Sequence, residues 1–360
     1  MLKYFAIIFS IISLTSCQVA AKTAMMGPGG RVAYNETIQK GTAEQMLLNI
    51  VRLRYFDSPM FLDVATVTSQ FTYRNAAGTS IQLPGFNTAN PVSLRGDTSW
   101  QNQPTIQYSP LEGKNFAGQL MQPVDLKTLQ QLIYTGWDID RLFRLVVQMI
   151  NDIPNAPLAA SPANDKLVQF EKFYEITELL RHFQLEMKLR VGIVPGSSNN
   201  TQAMQISFPV GTKEGKRLAK FLNEHVEQDD GYYVATFQLG FNKSGEIGIL
   251  PRSLLGAMYY SSLGVYIPSD DIESGAAFFP KVLNDPDYNW QKSLGSLMNV
   301  CWSKREPKCA HVKVQYRNKW FFIDDRDMNS KKTFILLQQL YSLKSMDVVQ
   351  APPILTIPLG

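Results

Sequence analysis

The chain has 360 residues, 45% hydrophobic, 18% charged and 11% aromatic, which excludes a wholly disordered or collagen-like polypeptide. Its 35 basic and 31 acidic side chains leave a formal charge of +4. That excess is too small for a nucleic-acid binder without a local basic stripe, and the sequence has none.

The first segment has the pattern of an export signal. Lys3 supplies a positive start, and Tyr4 to Leu14 is almost uninterrupted apolar sequence, shorter than the ~20 residues that span a bilayer as a helix. Leu14-Thr15-Ser16-Cys17 follows at once. This tetrapeptide resembles the lipobox of bacterial lipoproteins. The resemblance implies that residues 1–16 are a lipoprotein signal peptide and that Cys17 is lipidated with palmitate-type chains. Several chains anchor stably, since each buried CH₂ contributes ~0.8 kcal/mol. Gln18 follows the cysteine; in such lipoproteins an Asp there favours inner-membrane retention, so its absence points to the outer membrane.

Residues 17–31 are small and polar around Gly27-Pro28-Gly29-Gly30 and read as a flexible tether. Residues 32–155 read as an N-terminal α+β region. Thr42 and Gln45 form a capping-box pattern ahead of Leu47, Ile50 and Val51, with Asp57-Ser58-Pro59 as the stop. Phe61 to Tyr73 alternates like a strand, Asn75 to Pro104 reads as loops with short strands, and Thr105 to Tyr108 looks like another strand. Asp125 and Asp138 are placed to cap two helices joined at Thr135-Gly136-Trp137, an αα-hairpin. The apolar series of the second helix runs from Ile139 to Ile150, matching the helical period. Asn151 to Asn164 has three prolines and is the best internal boundary.

Residues 165–360 read as a C-terminal α+β region, packed with the first. A helix is expected over Asp165 to Arg190, strands over Met204 to Phe208, Tyr232 to Leu239 and Glu246 to Leu250, and helices from Lys213 and over Ser253 to Ser262. His311 to Tyr316 and Trp320 to Ile323 flank a tight turn, before a helix over Ser330 to Ser342 and an extended tail from Ala351. The fold class is α+β, with mixed helices and short antiparallel strands and no regular βαβ alternation.

The cysteines are Cys17, Cys301 and Cys309. Lipidation of Cys17 leaves a pair eight positions apart, and in an oxidising compartment a Cys301–Cys309 disulfide is expected. His311 alone does not complete a zinc set, so no metal site and no cofactor are expected.

No catalytic motif is present: G-x-S-x-G, S-x-x-K, H-E-x-x-H and a P-loop are all missing. His182, His225 and His311 are the only histidines, and packed or half-exposed roles are expected for them. The densest polar run is Asp324-Asp325-Arg326-Asp327-Met328-Asn329-Ser330. It mimics the start of a calcium loop, but Ser330 replaces the turn glycine and Leu336 the bidentate glutamate. Helix capping and salt bridging are the better reading, with Asp324, Asp325, Arg326 and Asp327 kept as candidate cation or partner contacts. Lys304, Arg305 and Lys308 read as a solvated loop, and Arg52 and Arg54 as a solvated or ion-paired helix face.

Three segments carry a wider resemblance: Asn49 to Pro59, Tyr108 to Gly113, and Trp320 to Asp327 running into Ser330 to Phe334. With the lipobox, they resemble a family of uncharacterised lipoproteins of Gram-negative bacteria. The resemblance implies a lipid-anchored body at the cell outer membrane, facing the periplasm, and brings no catalytic or ligand residues. The expected function is a non-enzymatic envelope component, anchored by Cys17 and docking on envelope proteins, with no nucleic acid and no identified ligand. One alternative is a periplasmic lipid-, glycan- or peptide-binding module, suggested by Trp100, Phe116, Tyr134 and Trp137. Another is an envelope hydrolase that uses carboxylates brought together by the fold. The tail Pro352 to Pro358 is a candidate for strand addition to a partner.

Overall fold

The structure is a computed structural model that describes residues 31–79, 94–110, 114–155, 170–196, 201–222, 226–240, 246–277, 294 and 296–345. Cys17, His225 and the 351–360 tail lie outside these residues. The architecture is α+β. The described residues fall into two units, a smaller one within Met1–Gly41 and Phe61–Leu111 and a larger one of Thr42–Met60 and Glu112–Val349.

The smaller unit is built on one long hairpin. Strands β1 (Leu62–Thr79) and β2 (Leu94–Pro110) pair antiparallel, from Leu62↔Pro110 to Thr79↔Leu94, with one bulge between Val64 and Thr66. Of the stretch from Asn75 to Pro104, expected as loops with short strands, residues 75–79 and 94–104 belong to these two long strands. Their Gly, Asn, Thr, Ser and Gln residues have loop composition, and it is the pairing with the facing strand that holds them extended.

Helix α1 (Arg31–Arg54) begins well before the Thr42 capping pattern, which sits inside a continuous helix. The two units divide between Gly41 and Thr42, and burial begins beyond that point, at Met46, Leu47, Ile50 and Val51. The capping-like pattern thus marks where the helix becomes amphipathic, not where it starts.

The larger unit continues with α2 (Lys114–Met121), α3 (Leu126–Tyr134) and α4 (Ile139–Val146). Asp125 caps α3 as expected, accepting from Thr128 N at 2.7 Å. Gly136, at φ 92°, closes its C-terminus and turns the chain into α4. Helix α4 stops at Val146 and the chain becomes β3 (Val147–Ile150), although the apolar helical period continues to Ile150. The override is tertiary. β3 pairs with β4 (Ile153–Pro154) and with β9 (Ile247–Pro251). This pairing crosses the boundary expected at 151–164, and the larger unit is undivided there.

Next come α5 (Phe170–Leu185), β5 (Arg190–Pro195), β6 (Gln202–Pro209), α6 (Lys213–Phe221), β7 (Val226–Asp229), β8 (Tyr232–Leu239) and, after β9, α7 (Leu254–Ser262). The main sheet has the order β4-β3-β9-β8-β6-β5, with β7 also on β8; only β8 and β9 run parallel. Its core face meets α5 where the rings of Phe183 and Phe208 stack at 5.9 Å. Short α8 (Ser269–Glu273) precedes a three-stranded sheet, β10 (Cys301–Ser303), β11 (Ala310–Tyr316) and β12 (Lys319–Asp324), and then α9 (Met328–Ser345). The order β10-β12-β11 puts β12 in the centre.

Candidate functional site

Three elements of the larger unit converge on a tyrosine–carboxylate–lysine cluster. The C-terminus of α1 supplies Tyr55 and Asp57. It turns with Asp57 N donating to Arg52 O at 2.9 Å and Phe56 N to Leu53 O at 3.2 Å. Phe56 takes φ 59°, the left-handed position usually filled by glycine. Asn49, fully buried, fixes the returning chain by donating to Met60 O at 2.7 Å and accepting from Met60 N at 3.0 Å. The β11–β12 turn supplies Tyr316, Arg317 and Lys319. Arg317 and Asn318 sit at φ 49° and 60°, as a tight two-residue hairpin turn requires. Helix α8 supplies Asp270 and Asp271.

The Tyr55 hydroxyl donates to Asp271 Oδ2 at 2.6 Å. Lys319 Nζ donates to Asp271 Oδ1 at 2.7 Å and reaches Asp270 Oδ2 at 2.9 Å. The Tyr316 hydroxyl donates to Asp57, and Arg317 lies 3.6 Å from the same carboxylate. The Tyr55 ring meets Tyr316 edge-on at 5.3 Å and Phe321 at 6.1 Å, while the Arg317 guanidinium sits 5.0 Å from the Tyr55 ring centre. Burial and the bond to Asp271 push the Tyr55 hydroxyl pKa up. Burial opposes the charge on Lys319, but its bonds to Asp271 and Asp270 win and raise its pKa. The bond from Lys319 holds Asp270 below the usual carboxylate range. Each charged group here is answered within the chain, so the cluster ties three elements together.

The Asp324–Asp327 run, expected to cap and to form salt bridges, is placed accordingly. Asp324 accepts from Arg326 N at 2.9 Å and pairs with its Nε at 3.2 Å, and this contact lowers its pKa. Asp325 pairs with Lys331 at 2.6 Å and is likewise lowered. Asp327 accepts from Ser330 N at 3.0 Å and Ser330 Oγ at 2.6 Å, the geometry of an N-cap for α9. Among the described residues, no three His, Cys, Asp or Glu side chains come together as a metal site.

The Cys301–Cys309 disulfide is not formed: both thiols are free, Cys301 half-buried and Cys309 exposed. The sheet order gives the reason. Cys301 pairs with Phe322 on one side of β12. Cys309 directly precedes β11, whose Ala310 pairs with Asp324 on the other side. Two strand spacings separate them, about 10 Å, against an upper limit of roughly 7 Å between bridged Cα atoms. Burial, then Asp324 and Asp327, push the Cys301 thiol pKa up.

Several further expectations change. Arg54 is buried at 4% exposure, not on a solvated face, and burial lowers its pKa to about 10. Arg52 is half-buried and donates to Asn49 at 3.3 Å. Asp138 stands at the N-cap of α4 without a capping bond; it pairs with Arg181 at 2.5 Å. Gln184 takes over, accepting from Ile139 N at 3.0 Å. Of the aromatic residues behind the ligand-binding alternative, Tyr134 donates to Val191 O and Trp137 to Gln339 at 2.7 Å. His182 lies 3.4 Å from Glu186 on an exposed helix face. His311 stands edge-on to Phe334; burial and Lys331 lower its pKa.

Comparison with family models, with curated proteins and with solved structures returned no match. The segments Asn49 to Pro59 and Trp320 to Asp327 meet in the cluster through Tyr55 and Phe321. Nothing in sequence pointed to Asp270 and Asp271: Tyr55 and its partner Asp271 are 216 positions apart.

Proposed function

We propose that the chain is an outer-membrane-anchored lipoprotein, a non-enzymatic envelope component held to the membrane through acylated Cys17. The observation that carries this reading is the order Lys3, apolar Tyr4 to Leu14, then Leu14-Thr15-Ser16-Cys17. The site geometry supports the non-enzymatic part. The titratable side chains of the cluster are bonded to one another, as the ties of a scaffold are, and Tyr134 and Trp137 bond within the chain.

The test is fractionation of cells fed labelled palmitate, with wild type beside Cys17→Ala. The wild-type chain is expected in the outer-membrane fraction carrying label, and Cys17→Ala is expected to lose the label and leave that fraction. A wild-type chain that is soluble and unlabelled overturns the reading. In-cell cross-linking of the anchored protein then identifies the envelope proteins it docks on.

A further inference from the structure

The hairpin of the smaller unit has a division of residues that its length alone does not require. By register, one face of the β1–β2 ribbon carries Tyr73 with Trp100, Val67 with Ile106 and Val64 with Tyr108. Phe71 and Pro104 share that face, and Ser69 and Asn102 are its two polar positions between the Tyr73 and Val64 rungs. The opposite face carries Thr68 with Thr105, Gln70 with Gln103 and Thr72 with Gln101. From Thr66 to Arg74 and across to Ser99, that second face has no apolar residue.

Three properties of this ribbon coincide. Aromatic residues stand at both ends of the apolar stretch, Tyr73 and Trp100 at one and Tyr108 at the other. From Trp100 to Tyr108 the rise is about 27 Å at ~3.4 Å per residue. Tilted by ~40°, it covers roughly 21 Å, close to the ~25 Å apolar band, flanked by aromatic girdles, of an outer-membrane barrel. Finally, β1 and β2 pair only with each other among the described strands, and a two-stranded ribbon is marginal in water. A bilayer requires such edges to be closed by further strands.

We infer that the β1–β2 hairpin is a membrane-spanning element, contributing two strands per copy to a barrel assembled from several copies of this chain. The Val67/Phe71 face meets lipid and the Thr68/Thr72 face meets water. This deepens the envelope reading and rests on it. Four copies would reach the roughly eight-stranded minimum of such barrels. Pro104 removes one backbone donor from the ladder, a local loss that one rung of a long ribbon tolerates.

The test places an environment-sensitive fluorophore on single cysteines at Val67, Phe71, Thr68 and Thr72, in the full chain with Cys301 and Cys309 changed to serine. Each protein is read in buffered detergent and after reconstitution into phosphatidylethanolamine–phosphatidylglycerol vesicles, with and without lipid-borne quenchers. Probes at 67 and 71 are expected to emit to the blue and, in vesicles, to be quenched from the lipid and not by an aqueous quencher. Probes at 68 and 72 are expected to stay in water and be reached by an aqueous quencher. Cross-linking in the same vesicles should give a ladder ending at one discrete oligomer. Loss of the alternation, or probes at 67 and 71 that the lipid-borne quenchers do not reach in vesicles, overturns the inference by showing that this face does not meet lipid. Palmitate labelling of the same preparations separates the two readings. A labelled chain without alternation keeps the anchor and loses the barrel. An unlabelled, soluble chain loses both.

Discussion

At the scale of single residues, the larger unit is notable for its buried arginines. Arg54, Arg141, Arg144 and Arg252 are all buried, while no Asp or Glu is among the buried polar residues described. Neutral oxygens serve three of them: Arg141 donates to Asn329 and Thr333, with Asp138 3.9 Å away, Arg144 donates to Ser296 at 2.8 Å, and Arg252 is the fullest case. Arg252 donates to the carbonyls of Arg144, Leu145, Val147 and Asn155 at 2.8–3.2 Å and lies 4.1 Å from the Tyr260 ring centre. Burial lowers its pKa to about 10, so it stays charged at neutral pH. The partners are carbonyls at the C-terminus of α4 and in the residues that follow, where the helix dipole concentrates negative potential; those of Arg144 and Val147 also accept from Asn155 Nδ2 at 2.7 and 2.6 Å. One planar fork answers several oxygens at once, which explains how α4 stops abruptly and hands the chain to β3. Arg252→Met is expected to lower stability by about 3 kcal/mol, because Leu145 O and Asn155 O lose the guanidinium donor in a buried site, while Arg144 O and Val147 O keep only Asn155 Nδ2. Arg252→Lys should recover little of that, since an ammonium lacks the fork. Urea midpoints for the three proteins check this. A lysine variant as stable as wild type would show that charge alone suffices.

At the scale of elements, the helix ends show what sequence reading can and cannot reach. Asp125, Thr212 and Ser253 each accept a bond from a backbone N–H in the first turn of their helix, a local rule visible in sequence. Asp138 obeys the same local pattern, yet its carboxylate turns to Arg181 and Gln184 of α5 replaces it. That exchange depends on packing between helices and has no sequence signature. Asp327 accepts from Ser330 N and Ser330 Oγ, as Asp125 does from Thr128 N and Oγ1, and adds Asn299 Nδ2 at 3.4 Å. Asp327→Ala is expected to lower stability by about 1–2 kcal/mol. Its pH dependence has a definite sign. Burial raises the Asp327 pKa, but the bonds from Ser330 and Asn299 outweigh it, and the net shift is downward. A carboxylate lowered in the folded state stabilises fully above its unfolded value, about 4. That contribution is lost as pH falls through the folded value. The stability gap between wild type and Asp327→Ala should therefore be constant near neutrality and close towards low pH. A gap independent of pH would mean that the cap works without ionisation.

At the scale of the whole molecule, the legible part of the fold was what nearest neighbours in sequence decide. The β11–β12 hairpin, the strands β6, β8 and β9, the αα-hairpin and the α+β class all follow from period and turn chemistry. The long hairpin was half-legible, because its Thr- and Gln-rich face looks like loop until a partner strand fixes the register. The candidate cluster was not legible, since Tyr55, Asp271 and Lys319 meet only through folding. The cysteine pair shows the same limit in reverse. Eight positions of separation make a bridge easy in an unfolded chain, yet the central strand β12 stands between the two residues in the native sheet. Both thiols should thus react with iodoacetamide in protein purified without reductant. Cys309 should react first, being exposed, and Cys301 more slowly, being half-buried with a raised pKa. Reductant should leave the melting temperature unchanged, because no cross-link constrains the unfolded chain. An intact mass short of two hydrogens, with neither cysteine alkylated and a melting point that falls on reduction, would refute the order β10-β12-β11. With the order upheld, the chain carries two thiols that do not pair with each other. Its larger unit is then held by the aromatic, arginine and lysine ties described above, without a covalent staple between these two residues.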